Sequence, residues 1–349
     1  MSSAPRISTE ADVPGTPMQG ECVWTSTEAP AGRSWIHALT DEMCEELHSV
    51  SSRALLDGVD AKSIRAKDFP LPKTAPLLAT VHRELEIGRG YAMLSQFPVD
   101  GWSEEQLRIA YCGLCAHLGD ITIQNRDEEY ILEVMDKGKA YDNQSRGYHS
   151  TAHLDFHNDG TNTVTLLCAQ TAPQGGQSML VSGPAVYNAI LDEAPEYLDV
   201  LHRGFFHHRR DQRLAHEAPV THYRTPVFGF FNGLFHIAFA APSILFCEAE
   251  GVTLTDHEKA AVAFMTSVIE RPGMAISMAL RKGDIQFVNN FVCLHARTAY
   301  QDSESQRRRL LRLWLDDKAS RRLGPGKMDW YMPEHSRFTL SGAIETLQT

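Results

Sequence analysis

The segment His153-Leu-Asp-Phe-His-Asn-Asp-Gly160 carries two histidines and two aspartates within seven residues and ends in an Asp-Gly turn dipeptide. Along an extended strand successive side chains face opposite ways, so His153, Asp155, His157 and Asp159 share one face if the strand runs through. Charged groups taken out of water need a partner or a metal. A histidine and a carboxylate two residues apart can reach one ion. Joined by a histidine from elsewhere, they form the two-histidine, one-carboxylate set that holds Fe(II) and leaves coordination positions open, as in non-haem oxygenases. Two such pairs compete here, His153 with Asp155 and His157 with Asp159.

His295 is the candidate for the distant histidine. It closes an apolar strand read over Ile285–Leu294, where a lone ring needs a partner. Thirteen residues on, Arg308-Arg-Leu-Leu-Arg312-Leu-Trp-Leu315 also reads as a strand. Arg308, Leu310, Arg312 and Trp314 fall on one face, and Arg309, Leu311, Leu313 and Leu315 on the other. A guanidinium turned into a barrel needs an anion, and a carboxylate meets it in bidentate geometry. Solvation accounts for Arg307 and Arg309 but poorly for Arg312, which Leu and Trp surround. His207, His208 and His236 lie in aromatic-rich stretches without a carboxylate at ligand spacing, and read as pocket or surface histidines. Cys112-Gly-Leu-Cys115 offers a thiol redox alternative. It sits inside a helix on the core-facing side, not at a helix N-terminus, which favours a buried structural pair.

The elements that must position these groups follow from periodicity. A helix begins after Thr40, with Met43, Leu47, Val50 and Ala54 as its apolar stripe. A second spans about 77–87 and a third opens at Ser103 with Leu107, Tyr111, Leu114 and Leu118 behind it. Residues 120–150 read as polar surface loops around one strand at 130–135. Strands follow at 163–170 and 178–182, then helices over 183–192 and 195–203. Aromatic runs at 205–206, 227–231 and 235–239 are strand-like. Thr255 caps a helix to about Glu270, and strands at 275–280, 285–294 and 308–315 complete the set. Many short strands with turn signals and flanking helices indicate a mainly β protein with helical additions and a jelly-roll core.

At 349 residues, with 43% apolar residues, the chain can bury a large core. Residues 1–30, rich in Ser, Thr, Pro, Ala and Gly, read as a disordered arm. Residues 31–349 read as one domain, with the core at about 88–318 and a C-terminal wrap. A net charge of −11 argues against nucleic-acid or anionic-membrane partners. Seven cysteines at scattered spacings suit a reducing compartment. With no signal peptide and no apolar run of membrane-spanning length, the expectation is a soluble, cytoplasmic protein.

Taken in order, His157-Asn-Asp159, Gly175-Gly176-Gln-Ser178, Asn289-Asn290, His295-Ala-Arg297 and Arg308-Arg-Leu-Leu-Arg312-Leu-Trp-Leu resemble the TauD/TfdA family of Fe(II)/2-oxoglutarate-dependent dioxygenases. The wider group includes clavaminate-synthase-like and γ-butyrobetaine-hydroxylase-like enzymes, and the likeness covers about residues 85–318. It implies a double-stranded β-helix, in agreement with the jelly-roll reading. It implies His157, Asp159 and His295 as metal ligands and catalytic residues, with Asn158 where the family usually has Thr. It also implies Fe(II) as cofactor, 2-oxoglutarate as cosubstrate and O2.

Arg308 matches the family's grip on the distal carboxylate of 2-oxoglutarate, with Ser178 beside it and Arg309 as rival. Arg312 and His149 match substrate-facing positions, and His153 with Asp155 then lines the pocket or braces the ligands. The implied reaction hydroxylates, desaturates or cyclises at an unactivated C–H of a small molecule, such as an amino acid or natural-product intermediate, releasing succinate and CO2. The rival readings are a metal-binding β-helix sensor or scaffold without turnover, and a thiol redox protein using Cys112 and Cys115. Substrate identity and oligomeric state stay open, a homodimer included.

Overall fold

The computed structural model describes residues 14–27, 34–125, 127–138, 147–210, 217–317 and 319–321. Four of its seven described α-helices start where a short polar side chain accepts from the free N–H groups of the first turn. Thr40 caps α1 (Asp41–Leu56), and α2 spans Ala75–Glu86. Ser103 caps α3 (Glu104–Cys115) and Ser182 caps α4 (Gly183–Glu193). Two short helices follow, α5 (Leu198–Arg203) and α6 (Ala241–Leu245). Thr255 opens α7 (Asp256–Ile269) with a full capping box, its side chain accepting from the Glu258 N–H while Glu258 accepts from the Thr255 N–H.

The strands are β1 (Ile36–Ala38), β2 (Tyr91–Ser95), β3 (Asp120–Thr122), β4 (Leu132–Val134), β5 (Leu154–His157), β6 (Thr163–Gln170), β7 (Gln174–Gly175) and β8 (Ser178–Ser182). They continue as β9 (Phe228–Phe231), β10 (Leu234–Ile237), β11 (Ile276–Met278), β12 (Ile285–Asn289), β13 (Cys293–Arg297), β14 (Tyr300–Gln301) and β15 (Arg309–Asp316). The larger sheet runs β1-β2-β12-β6-β15-β3, with β4 also paired to β15. The smaller runs β11-β8-β13-β5. Two short pairs, β9 with β10 and β7 with β14, lie outside both.

Period-two alternation divides the apolar side chains into layers. Leu311, Leu313 and Leu315 of β15 join Ile285 and Phe287 of β12 in a cluster with the helical residues Leu47, Leu78 and Tyr111. Their neighbours Leu310 and Trp314 pack instead with Val164, Val288 and Leu180, the last from the smaller sheet. On that sheet's other face, Phe156, Val181, Leu294 and Ala296 meet Val186, Ile190, Val262 and Met265 of α4 and α7. The order is therefore helices, larger sheet, smaller sheet, helices: a mainly β jelly-roll core with helical additions. Alternation carries the inward face to His157, Ser178, Gln286, His295, Arg297, Arg312 and Trp314.

Four expectations are corrected. The strand read through 285–294 is two strands on different sheets. Asn289 accepts from the Phe291 N–H with its side chain, turning the chain between them and placing His295 inside β13 instead of at a strand end. The strand read across 153–160 stops at His157. Residues 120–150 hold β3 as well as β4, both completing the edge beside β15. The arm read over 1–30 is ordered in part. Met18 and Trp24 are buried, Asn188 exchanges hydrogen bonds with the Met18 backbone, and the Trp24 indole donates to the Arg89 carbonyl at 2.9 Å. Two anchors in a polar stretch suffice because the body supplies the apolar surface. Residues 1–13 and 28–33, like the expected C-terminal wrap beyond 321, lie outside the described residues.

Candidate metal centre

The smaller sheet sets His157 and His295 directly opposite each other in the β5–β13 pairing. Their ring centroids are 4.3 Å apart. His157 Nδ1 bonds the Asp155 carbonyl at 2.8 Å. A carbonyl only accepts, so Nδ1 carries the proton and the Nε2 lone pair is left to face His295.

Beyond His157 the chain leaves the strand, and Asn158 fixes how it turns. Its amide donates to the carbonyls of Asn290 (2.6 Å) and Cys293 (3.0 Å) and accepts from the Phe239 N–H (2.8 Å). The Asp159 N–H donates to the Asn290 side chain at 3.3 Å. Asp159 is thereby brought back to the histidines, 3.9 Å from His157 Nε2 and 3.8 Å from His295 Nε2. One ligand atom from each of His157, Asp159 and His295 lies within 4.8 Å of the others, the one such group of three among the described residues.

Electrostatics suit the three to metal ligation. Burial pushes His295 down to about 3, helped by His157, and burial also lowers His157. Both rings are neutral at pH 7, with free lone pairs. Burial raises Asp159, but the Arg312 charge, the two imidazoles once acid protonates them, and the Trp314 hydrogen bond outweigh it and hold the carboxyl well below the usual range. Oδ2 accepts from Arg312 Nη1 and from the Trp314 indole, both at 3.0 Å. Oδ1 has only a long 3.4 Å contact to Arg312, so it is the freer oxygen. Two neutral imidazoles and one ionised carboxylate, converging on one point, are a donor set that fits Fe(II). Outer hydrogen bonds that fix ligand orientation, as Trp314 and the Asp155 carbonyl do, belong to such sites.

The arginines divide as alternation requires. Arg309 points outward to Glu104 and Glu133, whose hydrogen bonds and charges, Glu104's hydrogen bond first, raise its pKa. Arg308 is buried, its guanidinium 5.0 Å from the Tyr300 ring centroid, with Nη1 unbonded. Burial lowers its pKa, because no acid forms an ion pair with it among the described residues. The Gly-Gly turn explains how the chain passes this side chain. At Gly176, with φ +69°, a Cβ would lie 3.0 Å from Arg308 Nε, and at Gly175 one would lie 2.2 Å from the Ala299 carbonyl oxygen. Ser178 is buried nearby on β8 and donates to Gln286 Oε1 at 2.9 Å.

Arg312 stacks between Tyr148 and Trp314, 5.3 and 5.2 Å from their ring centroids, and donates from Nε to Gln124 Oε1. Its Nη2 is buried and unbonded. His149 is buried beside Tyr148. The structure does not bring His153 and Asp155 to the cluster. Their side chains are 48% and 42% exposed and lie 3.8 Å from each other. Cys112 and Cys115 are fully buried thiols whose pKa burial pushes up, which removes the reactive thiolate. His207 is buried and is not one of the three; burial pushes it down to about 3.

The comparisons agree with this geometry. The model of the "Taurine catabolism dioxygenase TauD, TfdA family" matches residues 52–314. The chain belongs to the TauD/TfdA family. It is a 2-oxoglutarate-dependent dioxygenase that works with Fe(II). FR-33289 synthase of Streptomyces rubellomurinus is 31% identical over 310 residues, 86% of this chain and 90% of that protein. The taurine hydroxylase-like protein SAT17 of Stachybotrys chartarum is 24% identical over 330 residues, 88% of this chain and 82% of that one. An asparagine oxygenase solved with Fe(II), 2S,3S-3-hydroxyasparagine and succinate shares the TauD/TfdA fold. Its TM-score is 0.64 at 17% identity, covering 80% of this chain and 93% of its own. The non-heme iron oxygenase OrfP with Fe and alpha-ketoglutaric acid gives 0.59 at 13%, with the same coverage.

Sequence reasoning passed over four residues that shape this TauD/TfdA centre. Asn158 was visible only as a departure from Thr, and Asn290 only as part of a motif. Alternation puts Trp314 on the inward face but assigns it no role. Gln124 lies in a stretch read as loop, and only the pairing of β3 and β4 with β15 reveals it.

Proposed function

We propose that this dioxygenase hydroxylates an unactivated C–H of a small acidic molecule, an amino acid or a natural-product intermediate. In this reading His157, Asp159 and His295 hold the iron, Arg308 and Ser178 take the distal carboxylate of 2-oxoglutarate, and Arg312 meets an anionic group of the substrate. The convergence of His157, Asp159 and His295 within 4.8 Å carries the proposal. Two further observations support it: a buried Arg308 with a free Nη1, and a buried Arg312 with a free Nη2. The substrate class draws on relatives whose names refer to asparagine, L-Arg and FR-33289 chemistry.

Iron with bound 2-oxoglutarate supplies O2 activation, which releases succinate and CO2 and oxidises the neighbouring C–H. The chain's residues supply the rest. The Asp155 carbonyl holds the His157 tautomer that presents Nε2. Trp314 and Arg312 occupy Asp159 Oδ2 and leave Oδ1 for the metal. Arg308, desolvated and unpaired, binds a carboxylate more strongly than an exposed arginine does. Gln124 and the Tyr148–Trp314 stack hold Arg312 in one orientation, so an anion at Nη2 fixes the substrate's position relative to the iron. His149, beside Tyr148, is the further substrate contact.

The decisive measurement is a substrate screen on the anaerobic Fe(II)/2-oxoglutarate complex, scored by perturbation of the metal-to-ligand charge-transfer band and confirmed by succinate release. Acidic amino-acid-like compounds are the expected hits. Iron binding with no succinate formed from any compound would favour a sensor or scaffold.

A further inference from the structure

Arg308 is not the only buried cation against Tyr300. Arg297, on β13, is 5% exposed, and its guanidinium carbon lies 4.8 Å from the same ring centroid. Its Nε and Nη1 are buried without hydrogen-bond partners, like Nη1 of Arg308. No acid forms an ion pair with Arg297 among the described residues; Asp136 and Asp302 act on the two arginines only at longer range. Two guanidinium groups sharing one buried ring repel each other, and among the described residues no acidic side chain forms an ion pair with either to offset that.

What Arg297 does hold is backbone. Its Nη2 donates to the carbonyls of Ser150, at 2.8 Å, and of Ala152. The carbonyl between them, that of Thr151, accepts from the Tyr300 N–H at 3.0 Å. Three successive carbonyls thus hang from one corner, Arg297–Tyr300. Two residues before them is Tyr148, stacked on Arg312; five residues after them is His157.

We infer that Arg297 is a positioning residue that couples occupancy of the Arg308 seat to the order of residues 147–153. A carboxylate seated at Arg308 offsets the repulsion between the two guanidinium groups. Arg297 then grips Ser150 and Ala152 more firmly and holds Tyr148 against Arg312, so cosubstrate binding prepares the substrate side. The inference rests on the proposed role of Arg308. A strap of purely structural value would grip the carbonyls equally with and without cosubstrate.

Backbone hydrogen exchange over 147–153 tests this on the full chain, anaerobically with Fe(II). The two ligands are 2-oxoglutarate and 2-oxopentanoate, which presents the same oxo-acid group but lacks the distal carboxylate. 2-Oxoglutarate is expected to slow exchange about tenfold and 2-oxopentanoate to leave it unchanged. Arg297→Gln loses that difference, and its 2-oxoglutarate Kd, read from the charge-transfer band, rises on the order of tenfold. Arg297→Lys keeps the charge without the fork, so it keeps most of the affinity and loses the protection; it carries the test if the Gln variant does not fold. Equal protection by both oxo acids overturns the inference, as does protection that survives both substitutions. The Arg308 role fails separately: Arg308→Gln would then leave the preference for 2-oxoglutarate over 2-oxopentanoate unchanged, and the inference falls with it.

Discussion

Two His-X-Asp pairs lie two residues apart in this chain, and they have opposite fates. His153 and Asp155 are about half exposed and lie 3.8 Å from each other, with their side chains outside the group of three that could hold a metal. Asp159 is 5% exposed and held between two neutral imidazoles, an arginine and an indole. Composition and spacing are the same. What differs is the strand opposite: β13 sets His295 across from His157, whereas the β5–β13 register shifts beyond His295 before Arg297 meets Leu154. The second difference is the exit. Asn158 bonds three backbone groups and folds Asp159 back over the pair it would have left. A short motif is thus made into a site by its cross-strand neighbour and by the turn that follows it.

The largest effect should come from breaking the buried pair alone. Asp159→Ala is expected to abolish Fe(II)-dependent consumption of 2-oxoglutarate, while Asp155→Ala stays within about twofold of wild type. Succinate release from the two variants side by side decides it, and equal losses would erase the distinction drawn here. Saturating Fe(II), added anaerobically, should raise the melting temperature of wild type and Asp155→Ala by binding the native state, and leave Asp159→Ala unmoved.

A parallel contrast lies at the start of β15. Arg308→Ala should weaken 2-oxoglutarate binding on the order of a hundredfold, as expected for loss of a buried charge-assisted pair. Arg309→Ala, which removes partly exposed ion pairs to Glu104 and Glu133, should cost at most about 1 kcal/mol of stability and leave cosubstrate affinity intact. Titration of the charge-transfer band and denaturant unfolding separate the two.

The supports should give intermediate losses. Trp314→Phe removes one of the two donors to Asp159 Oδ2 and should lower Fe(II) affinity about 10- to 100-fold, measured by competition with a chelator. Asn158→Ala leaves the Phe239 N–H and the Asn290 and Cys293 carbonyls without their partner. It should destabilise the fold by about 3 kcal/mol in denaturant titration.

The smallest effect is the pH dependence of the metal-free protein. His295 is depressed to about 3 in the folded state against about 6.5 when unfolded, so between those values the unfolded chain binds more protons. Stability therefore declines as pH falls through this window, and Asp159, also depressed, adds loss in the same direction at its acid end. His295→Asn should flatten the decline seen in melting temperature from pH 7 to 5, and His153→Asn should not.

Much of this was written in the sequence because it depends on local periodicity. Thr40, Ser103 and Thr255 mark helix starts by short-range capping. Alternation through β15 and the residue before it places Arg308, Arg312 and Trp314 inward and Arg309 outward. The order of the His-X-Asp pair, the Gly-Gly turn, the later histidine and the paired arginines was enough to indicate the family, the iron and the cosubstrate. Three decisions lay beyond it. The break at Asn289–Asn290 sends β12 and β13 to different sheets, the Met18 and Trp24 anchors find their surface 65 to 170 residues away, and Asp159 is trapped by groups up to 155 residues along the chain. Each is a contact between distant segments, and its free energy exists only once the two sheets have packed. For the same reason the strap from Arg297 to Ser150 and Ala152 is invisible in the sequence: a backbone carbonyl accepts a hydrogen bond in any residue type, so no side chain there announces it.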